Sequence, residues 1–181
     1  MNRILYYISI CICVVFLSAC EKTKNQVNQA TEFTMDYSTN ISLPAPVSTV
    51  NLSVPVDYTT PDIPTGSATR FASEGTTKDL IDDISLTKFN ISTTGSNLDF
   101  LKSINISIKA TGLAETAVAS KTLIPSGITN VSADLSQANI KEYIFKDNIQ
   151  FKLSIVVNAN QTGTQTLKLD QSVTVKGKKI K

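Results

Sequence analysis

The sequence contains no histidine and no tryptophan. Their absence removes the commonest general base, the commonest transition-metal ligand and the strongest aromatic platform. Cysteine is scarce too. The three are Cys11, Cys13 and Cys20, all within the first twenty residues, so the rest of the chain can form neither a disulfide nor a cysteine-ligated metal site. Charge of one sign is also lacking: 17 Lys and Arg stand against 15 Asp and Glu, interspersed, giving +2 and no electrostatic footprint for nucleic acid. The longest apolar run, Ile4 to Phe16, covers thirteen residues. A helix crossing a bilayer needs about 20. The length excludes a spanning segment there and matches the core of a secretory signal, which needs about 7 to 15 apolar residues behind a short basic start such as Met1-Asn2-Arg3.

Directly after that run stands Leu17-Ser18-Ala19-Cys20. This resembles the lipobox of bacterial lipoproteins: a branched apolar residue, two small residues that let a peptidase reach the backbone, then cysteine. The resemblance implies that Cys20 receives a diacylglyceryl group on its sulfur, that the Ala19–Cys20 bond is cut, and that the new amino terminus is acylated. Two or three acyl chains make attachment lasting where one is marginal, since each buried methylene contributes about 0.8 kcal/mol. The expected organisation is a lipoprotein signal peptide over 1–19, a flexible polar tether over 20–30 beginning with lipidated Cys20, and a single domain over 31–181. Loss of Arg3 leaves a net charge of +1. The Asn-, Ser-, Thr- and Lys-rich style resembles lipoproteins of Bacteroidota, and no acidic run comes after Cys20. The resemblance therefore implies a lipid-anchored cell-envelope protein in the outer membrane, facing the periplasm.

From Thr31 onward the dominant signal is two-residue alternation, which puts every second side chain on one face of a strand. Ile149, Phe151, Leu153, Ile155 and Val157 share one face, with Val156 breaking the rule opposite. After the turn-like segment Asn158 to Thr164, Leu167, Leu169, Val173 and Val175 repeat the pattern, so the two runs read as a hairpin. Gln171 falls on the apolar face, which calls for a bulge or a hydrogen-bonded buried amide. Shorter strands are expected around Phe33, Met35 and Tyr37 with Ile41 and Leu43 as a continuation, around Val50 to Val56, and around Ile104, Ile106 and Ile108. Ala117 to Ile124 and Val131 to Leu135 are weaker cases. Between Ile84–Leu86 and Phe89–Ile91 the phase changes, as a one-residue bulge would produce. Ile140, Tyr143 and Ile144 predict a helix capped by Ser136, and Thr77 to Asp83 and Asn97 to Leu101 single helical turns. The expected fold is all-β: an immunoglobulin-like antiparallel β-sandwich of about seven to nine strands with one short accessory helix.

Candidate sites are few. The segment 57–75, with Pro61, Pro64, Gly66 and Gly75, has no periodicity and reads as a long loop or linker. Its Tyr58, Arg70 and Phe71 are the candidate partner-contact residues, against the plain alternative of a surface crossing between sheets. Asp79, Asp82 and Asp83 cluster, but with the wrong spacing for an EF-hand, and read as exposed turn acids. Five Asn-x-Ser triplets are strand alternation written with small polar residues. Lys176, Lys178, Lys179 and Lys181 form a basic tail expected to be solvated beyond the last strand, with an anionic bilayer as its alternative contact. Ser85-Leu-Thr-Lys88 has Ser-x-x-Lys spacing but alternates like a strand. No catalytic residue, no cofactor and no metal is assigned. The functional expectation is a non-enzymatic structural or binding module meeting another envelope protein or a cell-wall polymer. The alternatives are a carrier of a lipid or apolar ligand, in a cavity lined by Phe89, Phe100 and Phe151, and a hydrolase.

Overall fold

The computed structural model describes residues 32–44, 54–94, 96–158 and 163–178. The signal segment, Cys20, the tether, Val50, Leu52, Lys179 and Lys181 lie outside them. Ten strands are found among the described residues: β1 (Glu32–Leu43), β2 (Val56–Thr59), β3 (Ile63–Pro64), β4 (Ile81–Thr93), β5 (Leu101–Lys109), β6 (Thr116–Thr122), β7 (Asn130–Ser132), β8 (Asp134–Leu135), β9 (Asn148–Val157) and β10 (Gln165–Gly177). They form two antiparallel sheets, one in the order β1-β10-β4-β7 and the other β2-β9-β5-β6-β8, with β3 also on β9. The expected all-β sandwich is therefore present. Its connectivity, with first and last strands side by side and long crossings between the sheets, is of the jelly-roll kind.

The alternation in the sequence is the cause of this arrangement. In β9, Ile149, Phe151, Leu153, Ile155 and Val157 are buried while Gln150, Lys152 and Ser154 are half-exposed on the other face. β10 does the same with Leu167, Leu169, Val173 and Val175. The two inner faces meet in one continuous core, where each fully buried Ile, Leu or Phe contributes about 1.5–3 kcal/mol. The phase change in β4 is a bulge: Leu86 pairs with Val173 and Lys88 with Ser172, leaving Thr87 as the extra residue. Its hydroxyl donates to the Ser172 carbonyl at 3.2 Å.

Several expectations are corrected. β9 and β10 do not form a hairpin; each is central in a different sheet. A half-buried strand has the same pattern whichever sheet it joins, so alternation does not distinguish the two cases. The run Val131 to Leu135 likewise splits, β7 pairing with β4 and β8 with β6, with the Ala133 N–H donating to the Phe89 carbonyl at 2.9 Å as the chain crosses. The helix expected from Ser136 begins later, at Lys141–Ile144. Gln137 sits at φ 60, Asn139 bridges to Ser85, and the Asn139 side chain accepts the Lys141 N–H at 2.9 Å. Lys78–Leu80 is a single 3-10 turn, and Asn97 to Leu101 is a bend and turn entering β5. Lys176 is not a tail residue: it lies within β10, opposite Glu32 on one side and Asp83 on the other.

The largest correction concerns 57–75. The segment holds β2, β3 and a helix, α1 (Ser67–Ser73), so that the later helix at Lys141–Ile144 is α2. α1 carries no side-chain cap and starts from Gly66 at φ 57, a left-handed conformation that glycine adopts without strain. What holds it is Phe71, 2% exposed, whose ring meets Phe33 edge-on at 6.0 Å and Phe145 at 5.9 Å.

Candidate functional site

The three sequence candidates occupy three different surroundings. Tyr58, in β2 opposite Leu153, is half-buried and packs on the core. Arg70 is on the outer side of α1, where Nη2 pairs with Glu74 Oε1 at 2.8 Å and the guanidinium lies 5.6 Å from the Phe33 ring centroid. Phe71 is a core residue, closed to any partner in the folded chain. The backbone around them is fixed at both ends. Thr60 N–H donates to the Phe151 carbonyl at 2.9 Å while its Oγ1 accepts the Phe151 N–H at 2.9 Å. Thr65 Oγ1 donates to the Lys146 carbonyl at 2.6 Å, and Tyr37 Oη donates to the Thr65 carbonyl at 3.0 Å. Burial pushes the Tyr37 phenol well above its ordinary range, because the phenolate would lose its hydration there.

Two open grooves flank this segment. The larger, about 540 Å3, is lined by Asp62, by Lys109–Thr111 at the end of β5, and by Lys146–Gln150 at the start of β9. The Asp62, Lys109, Lys146 and Asp147 side chains make no ion pair among the described residues, so the groove offers both charge signs and the amides of Asn148 and Gln150. Sequence reading missed it because its residues come from three separated segments, none of which carries a motif. The smaller groove, about 380 Å3, lies between Thr34–Tyr37 of β1 and Thr65, Gly66 and Arg70.

On the outer face of the second sheet, Lys152 Nζ sits 3.1 Å from Asp57 Oδ2 and 3.4 Å from Glu115 Oε1, and Ser154 Oγ donates to Asp57 Oδ1 at 2.7 Å. The Ser154 hydrogen bond, and then Lys152, hold the Asp57 carboxyl below its usual range. Asp57 first, and then Glu115, hold the Lys152 ammonium above its own. A serine donating to a carboxylate beside a lysine kept protonated is the reverse of a Ser-Lys nucleophile, which needs the amine free to accept the hydroxyl proton. The cluster fastens β2 to β9. Ser85 and Lys88 lie along β4 on either side of the Thr87 bulge.

Of the rings expected to line an apolar ligand cavity, Phe89 and Phe151 meet edge to face at 5.2 Å, and both are buried, as is Phe100. Asp79 belongs to the 3-10 turn, Asp82 is exposed, and Asp83 pairs with Lys176 across the sheet.

The sequence matches no protein-family model and no curated protein. Similar folds occur among solved structures. The cyanophage Pam1 capsid chain is 10% identical over 82% of this chain and 87% of its own, with a TM-score of 0.40. The capsid of Helicobacter pylori bacteriophage KHP30 is 6% identical over 80% and 92%, with a TM-score of 0.35. The turnip yellow mosaic virus chain is 12% identical over 81% and 93%, with a TM-score of 0.30. These scores carry no inference about what this chain does.

Proposed function

We propose that the chain is a cell-envelope lipoprotein, anchored through Cys20 and acting as a non-enzymatic structural or binding module that meets another envelope protein or a cell-wall polymer. The observation that carries this reading is the sequence of the first twenty residues: a basic start, a thirteen-residue apolar core too short to span, and Leu17-Ser18-Ala19-Cys20. The body supports it in two ways. Its cluster of Ser154, Lys152 and Asp57 is wired as an ion-pair brace, and its larger groove is polar, lined by Asp62, Lys109, Lys146 and Asp147, as suits a hydrogen-bonding partner rather than an apolar cargo. An outer-membrane position facing the periplasm is part of the same proposal.

Fractionation of the producing cells tests it. The wild-type chain is expected in the membrane fraction, released by detergent and not by salt, and Cys20→Ser is expected to fail processing or to emerge as a soluble protein. Equal recovery of both forms from the soluble fraction would remove the anchor and the role built on it.

A further inference from the structure

We propose that the outer edge of β1 is a strand-addition site, and that its occupant is β1 of a second copy paired antiparallel about a twofold axis at Ser38.

β1 is an edge strand of twelve residues, whereas the other edge strands among the described residues, β7, β8, β2 and β3, run three, two, four and two residues. Edge strands expose a row of unpaired N–H and C=O groups, and monomers blunt them by shortness, by lysine, by proline, by a bulge or by a helix or loop laid over them. β1 has none of the first four, and Thr65, Gly66 and Arg70 stand beside it along Thr34–Tyr37, across an open groove. Its sequence, EFTMDYSTNISL, has no lysine, arginine or proline, and its register with β10 runs unbroken from Glu32–Lys176 to Leu43–Gln165. Among the described residues no backbone hydrogen bond reaches its outer edge from Glu32 to Ser42. The groove between Thr34–Tyr37 and Thr65, Gly66 and Arg70 leaves room alongside that edge.

The strand is complementary to itself. Antiparallel pairing that keeps inner faces together must match residues of like parity. With the axis at Ser38, Met35 faces Ile41 of the second copy and Tyr37 faces Thr39 on the inner side. On the outer side Thr34 faces Ser42, and Asp36 faces Asn40, whose amide can donate to it. No acid opposes an acid. Moving the axis to Tyr37 instead brings the two Asp36 carboxylates onto one diagonal, within about 7–8 Å, an unfavourable neighbourhood. A chain of net charge +2 adds almost no overall repulsion between copies. The product is an isologous contact of the commonest kind, fusing two four-stranded sheets into one of eight.

This inference does not rest on the lipid anchor, and its test is separate. The full chain carrying Ser38→Cys is oxidised with copper-phenanthroline, with Thr87→Cys at an exposed position of β4 as control and the unsubstituted chain setting the background from Cys11, Cys13 and Cys20. Residues at the axis face each other with Cβ atoms about 4.5–5.5 Å apart, so most Ser38→Cys chains are expected to crosslink as dimers and the control only at background. In parallel, Ser38→Lys sets two ammonium groups face to face. The hydrogen bond that Ser38 makes to Asp170 across on β10 is replaced by an ion pair with the same carboxylate, so the fold is spared, and sedimentation equilibrium is expected to show self-association weakened at least several-fold with little change in melting temperature. A wild-type chain that stays monomeric in the micromolar range without crosslinking through position 38 would overturn the proposal, and so would capture of the edge by residues 45–53 or by a different protein. A dimer unaffected by Ser38→Lys would equally overturn it.

Discussion

Replacing Gln171 by methionine is expected to stabilise the protein. Gln171 lies on β10, 1% exposed, with Tyr37 opposite on β1 and Phe89 opposite on β4. Neither Nε2 nor Oε1 has a hydrogen-bond partner among the described residues. The hydroxyl of Tyr37, its neighbour across the sheet, is committed to the Thr65 carbonyl. An amide withdrawn from water without replacement bonds costs about 1–3 kcal/mol, and methionine keeps its length and unbranched shape while removing both polar atoms. Gln171→Met should therefore raise unfolding free energy by about 1–3 kcal/mol. At a slope of about 2 kcal/mol/M this moves the urea midpoint up by about 0.5–1.5 M with the slope unchanged. Gln171→Glu should move it down by more, since a carboxylate there must be buried or protonated. A midpoint lowered by Gln171→Met would show that the amide makes bonds that methionine cannot, and the reasoning would fail.

The same geometry sets other outcomes. Phe71→Ala should cost about 3–5 kcal/mol in denaturant titration, while Arg70→Ala should cost less than about 1 kcal/mol, because its pair with Glu74 is exposed; equal effects would return 57–75 to the surface. Asp57 is held below its ordinary pKa by Ser154 and Lys152, so its stabilising contribution is present above the unfolded-state value of 3.8 and is lost as pH falls through the folded value. Acid titration of stability should accordingly be flatter for Asp57→Asn than for wild type below about pH 4. For Tyr37 the sign is opposite: its folded pKa is raised, so its contribution is complete below about pH 10 and is lost as pH rises beyond that. Phenolate absorbance should show Tyr37 ionising only together with loss of the near-ultraviolet dichroism of the fold, and Tyr37→Phe should remove that step.

The strands of the sandwich were legible because their side chains obey a period of two, and the β4 bulge was legible because Ile84–Leu86 and Phe89–Ile91 break that period by one residue. Pairing was not legible. Leu167 to Val175 would alternate identically beside β9 or in the opposite sheet, and only the partners on both flanks, β1 and β4, place it. The core role of 57–75 was hidden by its prolines and glycines. Ile63 and Phe71 are its deepest apolar side chains, eight residues apart, and two anchors define no period. Gln171 met neither expectation, since its strand is regular at that position and its amide has no partner among the described residues; the extra residue sits on β4 at Thr87 instead. The polar groove was beyond reach because Asp62, Lys109 and Asp147 converge only when β3, β5 and β9 reach the same end of the sandwich.

Intact-mass spectrometry of the protein extracted from the membranes of producing cells tests the central claim most directly. A polypeptide starting at Cys20, heavier than its residues by a diacylglyceryl group and an amide-linked acyl chain, is the expected product. A mass equal to the bare chain, with residues 1–19 retained or with the Cys20 thiol free, would contradict it.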